Sequence, residues 1–213
     1  MKLSRFFAVA FMLLVGAGAA FAQLTAANAF AEAPQNVFPL LDLNTKLDMI
    51  DYFNSGMTTP SKNAMDGKSR ITALSPAKME INMTDASTYE LVVIPTADGD
   101  SVIALITTVA TPAPDSQMAV FSKDWSNNVT NSVFVKPVLA DWLTDDDKEN
   151  IGEVEGIIPF LLISYSFDPE AKQLTLTNNT SKFVSPELYE IVAPSLKSVM
   201  TYRWNGKKFV PAS

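Results

Sequence analysis

The sequence predicts an α+β fold, predominantly antiparallel β-sheet, with an N-terminal amphipathic helix and a short C-terminal helix. Three observations carry this reading. Apolar residues recur at every second position between Ser69 and Trp125 and again after residue 157. The joints within these regions are tight turn sequences such as "ADGD" and "WNGK", too short for the crossovers that parallel strands require. Helical spacing is confined to two segments.

At the N-terminus, Lys2 and Arg5 precede the apolar run "FFAVAFMLLVGAGAA", and "AFA" places small residues at Ala20 and Ala22. Residues 1–22 are therefore expected to be a signal peptide cleaved after Ala22. The run falls short of what a helix needs to cross roughly 30 Å of hydrocarbon comfortably, so no membrane anchor is expected after cleavage. The following "QLTAANAFAEAPQ" is small and polar, and residues 23–36 are expected to be a disordered lead-in. Residues 37–213 are expected to form one α+β domain, with room for division into two packed subdomains, 37–125 and 157–213, joined by a long loop.

Leu40, Leu43, Leu47 and Ile50 recur at helical spacing, with Pro39 near the start and Gly56 past the end, which predicts a helix over 39–54. In "KMEINM" the period is two, with Met79, Ile81 and Met83 on one face. "TYELVVIPTADGDSVIALITTV" predicts a hairpin about Asp98-Gly99, and its second arm, Val102 to Val109, is apolar on both faces, as a central strand should be. A further strand is expected near 117–122. The stretch from Ser126 to Gly156 has the least period and is read as a crossover or long loop. "PFLLISYSFDPEAKQLTLTNN" predicts a second hairpin, Ser185-Pro186 starts a short helix, and Asn205-Gly206 marks a closing hairpin.

Composition removes several chemistries. The chain has no His and no Cys, which excludes the usual zinc sites, His-based triads, thiol nucleophiles and disulfides. Without Lys2 and Arg5 there remain 14 basic against 23 acidic residues, a net charge of −9, which argues against a nucleic-acid partner. A glycosidase-type pair of carboxylates stays open, because it needs only two acids across a cleft. "SPAK" sets Ser75 and Lys78 at the spacing of a Ser-x-x-Lys nucleophile, but Lys78 opens a strand and no Lys-Thr-Gly partner occurs, so a turn before a strand is the simpler reading.

"TDDDKENIGEVEG", residues 144–156, raises the question of a cation site. Asp145, Asp146 and Asp147 are consecutive, so their side chains fan apart, unlike the alternating ligands of a Ca²⁺ loop. A solvated loop or a helix start is the favoured reading, with Ca²⁺ as the alternative. Trp142 stands next to this stretch, and Trp142, Asp145, Asp146 and Asp147 are the candidate binding residues, Trp142 as a surface on which a sugar stacks. No metal and no cofactor is expected.

The segments "LDMIDYFNSGM", "KSRITALS" and "TYELVVIPTADGDSVIALITTVATPAPDSQMAVFSKDW" together resemble a domain-of-unknown-function family of small exported Bacteroidales proteins. The resemblance implies a place in a Gram-negative envelope, in the periplasm or at the cell surface, and transfers no catalytic or binding residues. The functional expectation is an exported envelope protein that binds a protein or glycan partner without catalysis. A carboxylate-dependent glycan hydrolase is the alternative.

Overall fold

The computed structural model describes residues 23–212, and the leader expected over residues 1–22 lies outside them. Two antiparallel sheets carry the fold. The first is a meander of six strands in chain order: β1 (Ser61–Lys62), β2 (Lys68–Leu74), β3 (Lys78–Thr84), β4 (Ser87–Pro95), β5 (Ser101–Val109) and β6 (Asp115–Ser122). The second has four strands, β7 (Ile163–Asp168), β8 (Gln173–Asn178), β9 (Val199–Trp204) and β10 (Phe209–Pro211), in spatial order β10-β9-β8-β7. The turn glycines explain the tight joints, since Gly99 and Gly206 have φ of 85° and 92°, where a side chain would be strained.

Both faces of the six-stranded sheet are covered, which is why β4 and β5 read as continuous apolar runs. Leu91, Val93, Ile103 and Leu105 face one core, together with Met79, Ile81 and Met83 of β3. Val92, Ile94, Ala104 and Ile106 face the other, against Leu174, Leu176 and Trp204 of the second sheet. Strand alternation thus sends successive residues into two different cores.

The first core is closed by α1 (Ala26–Glu32) and α2 (Leu43–Asn54). Here the expected disordered lead-in over residues 23–36 is corrected: Ala26, Ala29, Phe30 and Ala33 are buried. They recur at i, i+3, i+4 and i+7, and Thr25 caps the helix by accepting the Asn28 N–H at 3.2 Å. Trp125 ties α1 to the sheet through its indole N–H, which donates to the Ala29 carbonyl at 3.0 Å. Phe38 stands edge-on to Phe30, with ring centroids 5.1 Å apart.

Helix α2 starts at Leu43, capped by Asp42, rather than at residue 39, and its buried face is not the leucine stripe. Leu43 and Leu47 are 56% and 44% exposed, whereas Lys46 and Met49 are buried. The reason is Lys46. Its stem lies in the core while its ammonium donates to the Ala31 and Ala33 carbonyls at 3.0 and 2.6 Å, closing off the end of α1 where a cation is favoured.

The stretch expected as a long loop is also corrected. It contains α3 (Thr130–Val133), α4 (Leu139–Trp142), a 3-10 segment (Asp145–Asn150) and α5 (Ile151–Ile157). Val133, Phe134, Trp142, Leu143, Val154 and Ile158 from this region are buried in the second core, so it is a structural part of that core and not a surface connection. Four-residue helices complete about one turn each, too little to leave a readable period. The short C-terminal helix is α6 (Pro186–Val192), with the Ser185 hydroxyl accepting the Leu188 N–H at 3.4 Å.

Strand β7 is an edge of its sheet, and side chains of the first sheet occupy its outward N–H groups. Asp115 accepts from Ile163 at 3.0 Å, Ser116 from Tyr165 at 3.0 Å and Glu90 from Phe167 at 2.7 Å. Lys78 completes the lock: its ammonium bonds Glu90 at 2.8 Å and donates to the Phe167 carbonyl at 3.0 Å. An ion pair therefore satisfies both backbone groups of Phe167, as a neighbouring strand would.

Candidate functional site

The acidic stretch assembles no site in this fold. Asp145 pairs with Lys148 at 2.7 Å, which holds its carboxyl below the ordinary range, and Asp147 accepts from the Thr144 hydroxyl at 2.8 Å. Asp146 points to solvent. Among the described residues no three acids converge in a way that could hold a metal ion. These carboxylates stand at the start of the 3-10 segment that leads into α5, where negative charge is favoured. Trp142 is 1% exposed, sealed into the second core by α4, and offers no face for a sugar. The expectation of a stacking surface at Trp142 is thereby corrected, because the chain turns inward at Trp142-Leu143 before the acids emerge.

The Ser75–Lys78 spacing makes a turn. The Ser75 hydroxyl accepts the Lys78 backbone N–H at 3.0 Å, while the Lys78 ammonium is committed to Glu90, Glu80 and the Phe167 carbonyl.

Two groups of carboxylates bear on glycan hydrolysis. Glu80 and Glu90 stand directly opposite one another on β3 and β4. Burial pushes Glu90 up against the pull of Lys78 and the Phe167 N–H. For Lys78, burial alone would lower the ammonium, but its bonds to Glu90 and Glu80 outweigh that and raise it. Lys78 bridges both acids and β7 takes the remaining oxygen, so the pair holds the sheets together. The second group, Asp98, Asp100 and Asp124, lines a polar cleft of about 340 Å³. Hydroxyls of Ser122 and Ser126 hold Asp124 at about 2, the Thr96 hydroxyl lowers Asp98, and Lys123 lowers Asp100. A glycosidase acid needs a raised carboxyl, and these three are lowered.

A larger concavity lies on the second sheet. Thr130 fixes α3 to β6 by accepting the Val120 N–H at 2.8 Å, and the helix ends at Phe134 in extended backbone. The Phe134 ring stands edge-on to Tyr202 and Phe209, with centroids 5.5 and 5.9 Å away, and pins the chain to the β9–β10 hairpin. Pro137 forbids a helix through the next residues, since the position before a proline is driven to extended backbone. The strap from Val135 to Pro137 therefore stands off the sheet until α4 begins, where Asp141 accepts the Val138 N–H at 2.8 Å.

Between strap and hairpin lies a groove of about 540 Å³. Phe134, Met200, Tyr202 and Phe209 make its apolar floor, and Val135, 80% exposed, and Val210 also line it. Lys148, Lys197 and Lys208 stand on its rim. Lys197 donates to the Asp141 carbonyl at 2.9 Å, and neither Lys197 nor Lys208 has a salt-bridge partner among the described residues. Burial and the nearby Asp141 charge push the Tyr202 phenol up. The volume lies within the range of small-ligand clefts, and the lining combines an apolar floor with Asp141 and three lysines. An apolar pocket at Gln23–Thr25, of about 180 Å³, is much smaller.

The fold and groove define a two-sheet α+β domain whose candidate site is a binding groove. The chain belongs to the DUF3256 family of proteins of unknown function, whose profile matches residues 19–209. A solved structure, that of a domain of an uncharacterized protein from Porphyromonas gingivalis W83, is similar with a TM-score of 0.73 at 18% sequence identity, covering 87% of this chain and 96% of that one. At that identity the likeness shows the shared fold. No curated protein matches the sequence.

Proposed function

We propose that this protein is an exported, non-catalytic binding domain of a Gram-negative envelope, and that its ligand site is the groove between the 135–137 strap and the β9–β10 hairpin. One observation carries the reading: a groove of about 540 Å³ has an apolar floor, an exposed valine in its lining and lysines on its rim. The leader-like N-terminus and the lack of His and Cys support export and binding over catalysis. The partner is an envelope glycan or protein.

Thermal melts with envelope glycans, peptidoglycan fragments and envelope protein extracts test this. A ligand at about 100 times its dissociation constant adds roughly 2.7 kcal/mol, which in a domain of this size raises the midpoint by about 5–10 °C. The expected result is such a rise with at least one component, abolished by Val135→Glu. Turnover of any glycan, or a rise that Val135→Glu leaves intact, contradicts the proposal.

A further inference from the structure

Charge is distributed unevenly around the groove. The chain is acidic, yet three lysines line this one concavity; Lys148 is paired with Asp145, and the single lining carboxylate, Asp141, accepts the Val138 N–H. Among the described residues Lys208 and Lys197 make no salt bridge, although Lys197 donates to the Asp141 carbonyl and its charge reaches Asp145. Tyr202, part of the floor, carries a phenol hydroxyl that can donate a hydrogen bond. Val135 and Val210 extend the apolar lining. Cation, donor and apolar wall therefore meet at one site.

From this juxtaposition we infer that the groove takes an anionic amphiphile, an acyl chain bearing a carboxylate or phosphate. Its chain lies along Phe134, Met200 and the two valines, and its head is held by Lys208 and Lys197. The inference rests on the groove being the ligand site, and for that groove it names an acylated anion in place of the glycan or protein partner proposed above. Charge complementarity selects the head, because an ammonium–oxyanion bond beside apolar walls is stronger than one in open water. The floor selects the tail.

The test is a titration of ¹⁵N-labelled purified protein with sodium laurate, dodecyl phosphate, dodecyl maltoside, acetate and inorganic phosphate, each below its micelle concentration, reading backbone amide shifts. Laurate, dodecyl phosphate or both should move the amides of Val135, Lys208 and Val210 to saturation, and whichever does so identifies the head as carboxylate or phosphate. Dodecyl maltoside and the free heads should bind at least about fivefold more weakly, and Lys208→Met should weaken the anionic ligand by about fivefold without changing the melting midpoint. Equal binding of dodecyl maltoside overturns the inference, as does a shift pattern away from the groove. If glycans or protein fragments move these amides and neither anionic amphiphile does, this inference fails and the groove remains the site. If nothing moves them, both fail.

Discussion

Lys46 is 3% exposed, with its ammonium held by the last carbonyls of α1. Replacing it by Ala leaves one buried and one part-buried carbonyl without this donor, and urea denaturation should show a loss of about 1–3 kcal/mol. Burial lowers the Lys46 ammonium below its ordinary 10.5. In the window below 10.5 the unfolded chain therefore holds more protons, and this group adds stability as pH rises. Lys78 acts in the opposite sense. Its bonds to Glu90 and Glu80 raise it, so its contribution is whole below pH 10.5 and is lost as pH climbs through the folded value. Lys78→Met should cost about 3 kcal/mol at neutral pH by stranding Glu90, and the gap to the unaltered protein should narrow above pH 10.5. Adding Glu90→Gln should recover part of that loss, a coupling that a double-mutant cycle reads directly. None of this was visible in the sequence, where Lys46 looks like a solvated helix residue and Lys78 like the wet face of a strand.

At the scale of elements, local signals succeeded where they were complete within one segment. The strand "KMEINM", the Asp98-Gly99 and Asn205-Gly206 hairpins and the Ser185-capped helix all form as their residues imply. Helix α1 is faint in the sequence because its stripe is alanine with a single phenylalanine, although the spacing of Ala26, Ala29, Phe30 and Ala33 and the Thr25 cap are both present. The buried face of α2 departs from its leucine stripe because a buried lysine, Lys46, interrupts the apolar pattern. Phe30→Ala should destabilise the protein by about 3–5 kcal/mol, measured by denaturant unfolding. An indifferent result would mean that α1 is an appendage to the fold. Trp125→Phe removes the bond to Ala29 and should cost about 1 kcal/mol.

At the scale of the whole molecule, the groove joins residues far apart in the chain, the 135–137 strap and the β9–β10 hairpin, and no periodicity reports such a meeting. The acidic run is prominent in the sequence, but its carboxylates lie in the first turn of a 3-10 segment, where negative charge is favoured. The strap matters because Phe134 anchors it, and Phe134→Ala should release the groove wall at a cost of about 3–5 kcal/mol. Helix α1, capped by Thr25, lies close behind the expected cleavage point. Mass spectrometry of protein recovered from the envelope should therefore find Gln23 at its N-terminus, with the fold intact. The groove as ligand site is tested most directly by mapping amide shifts of the labelled protein against soluble envelope components. The account predicts saturable shifts centred on Val135, Lys208 and Val210. Shifts centred on Asp145, Asp146 and Asp147, with the groove silent, would contradict it.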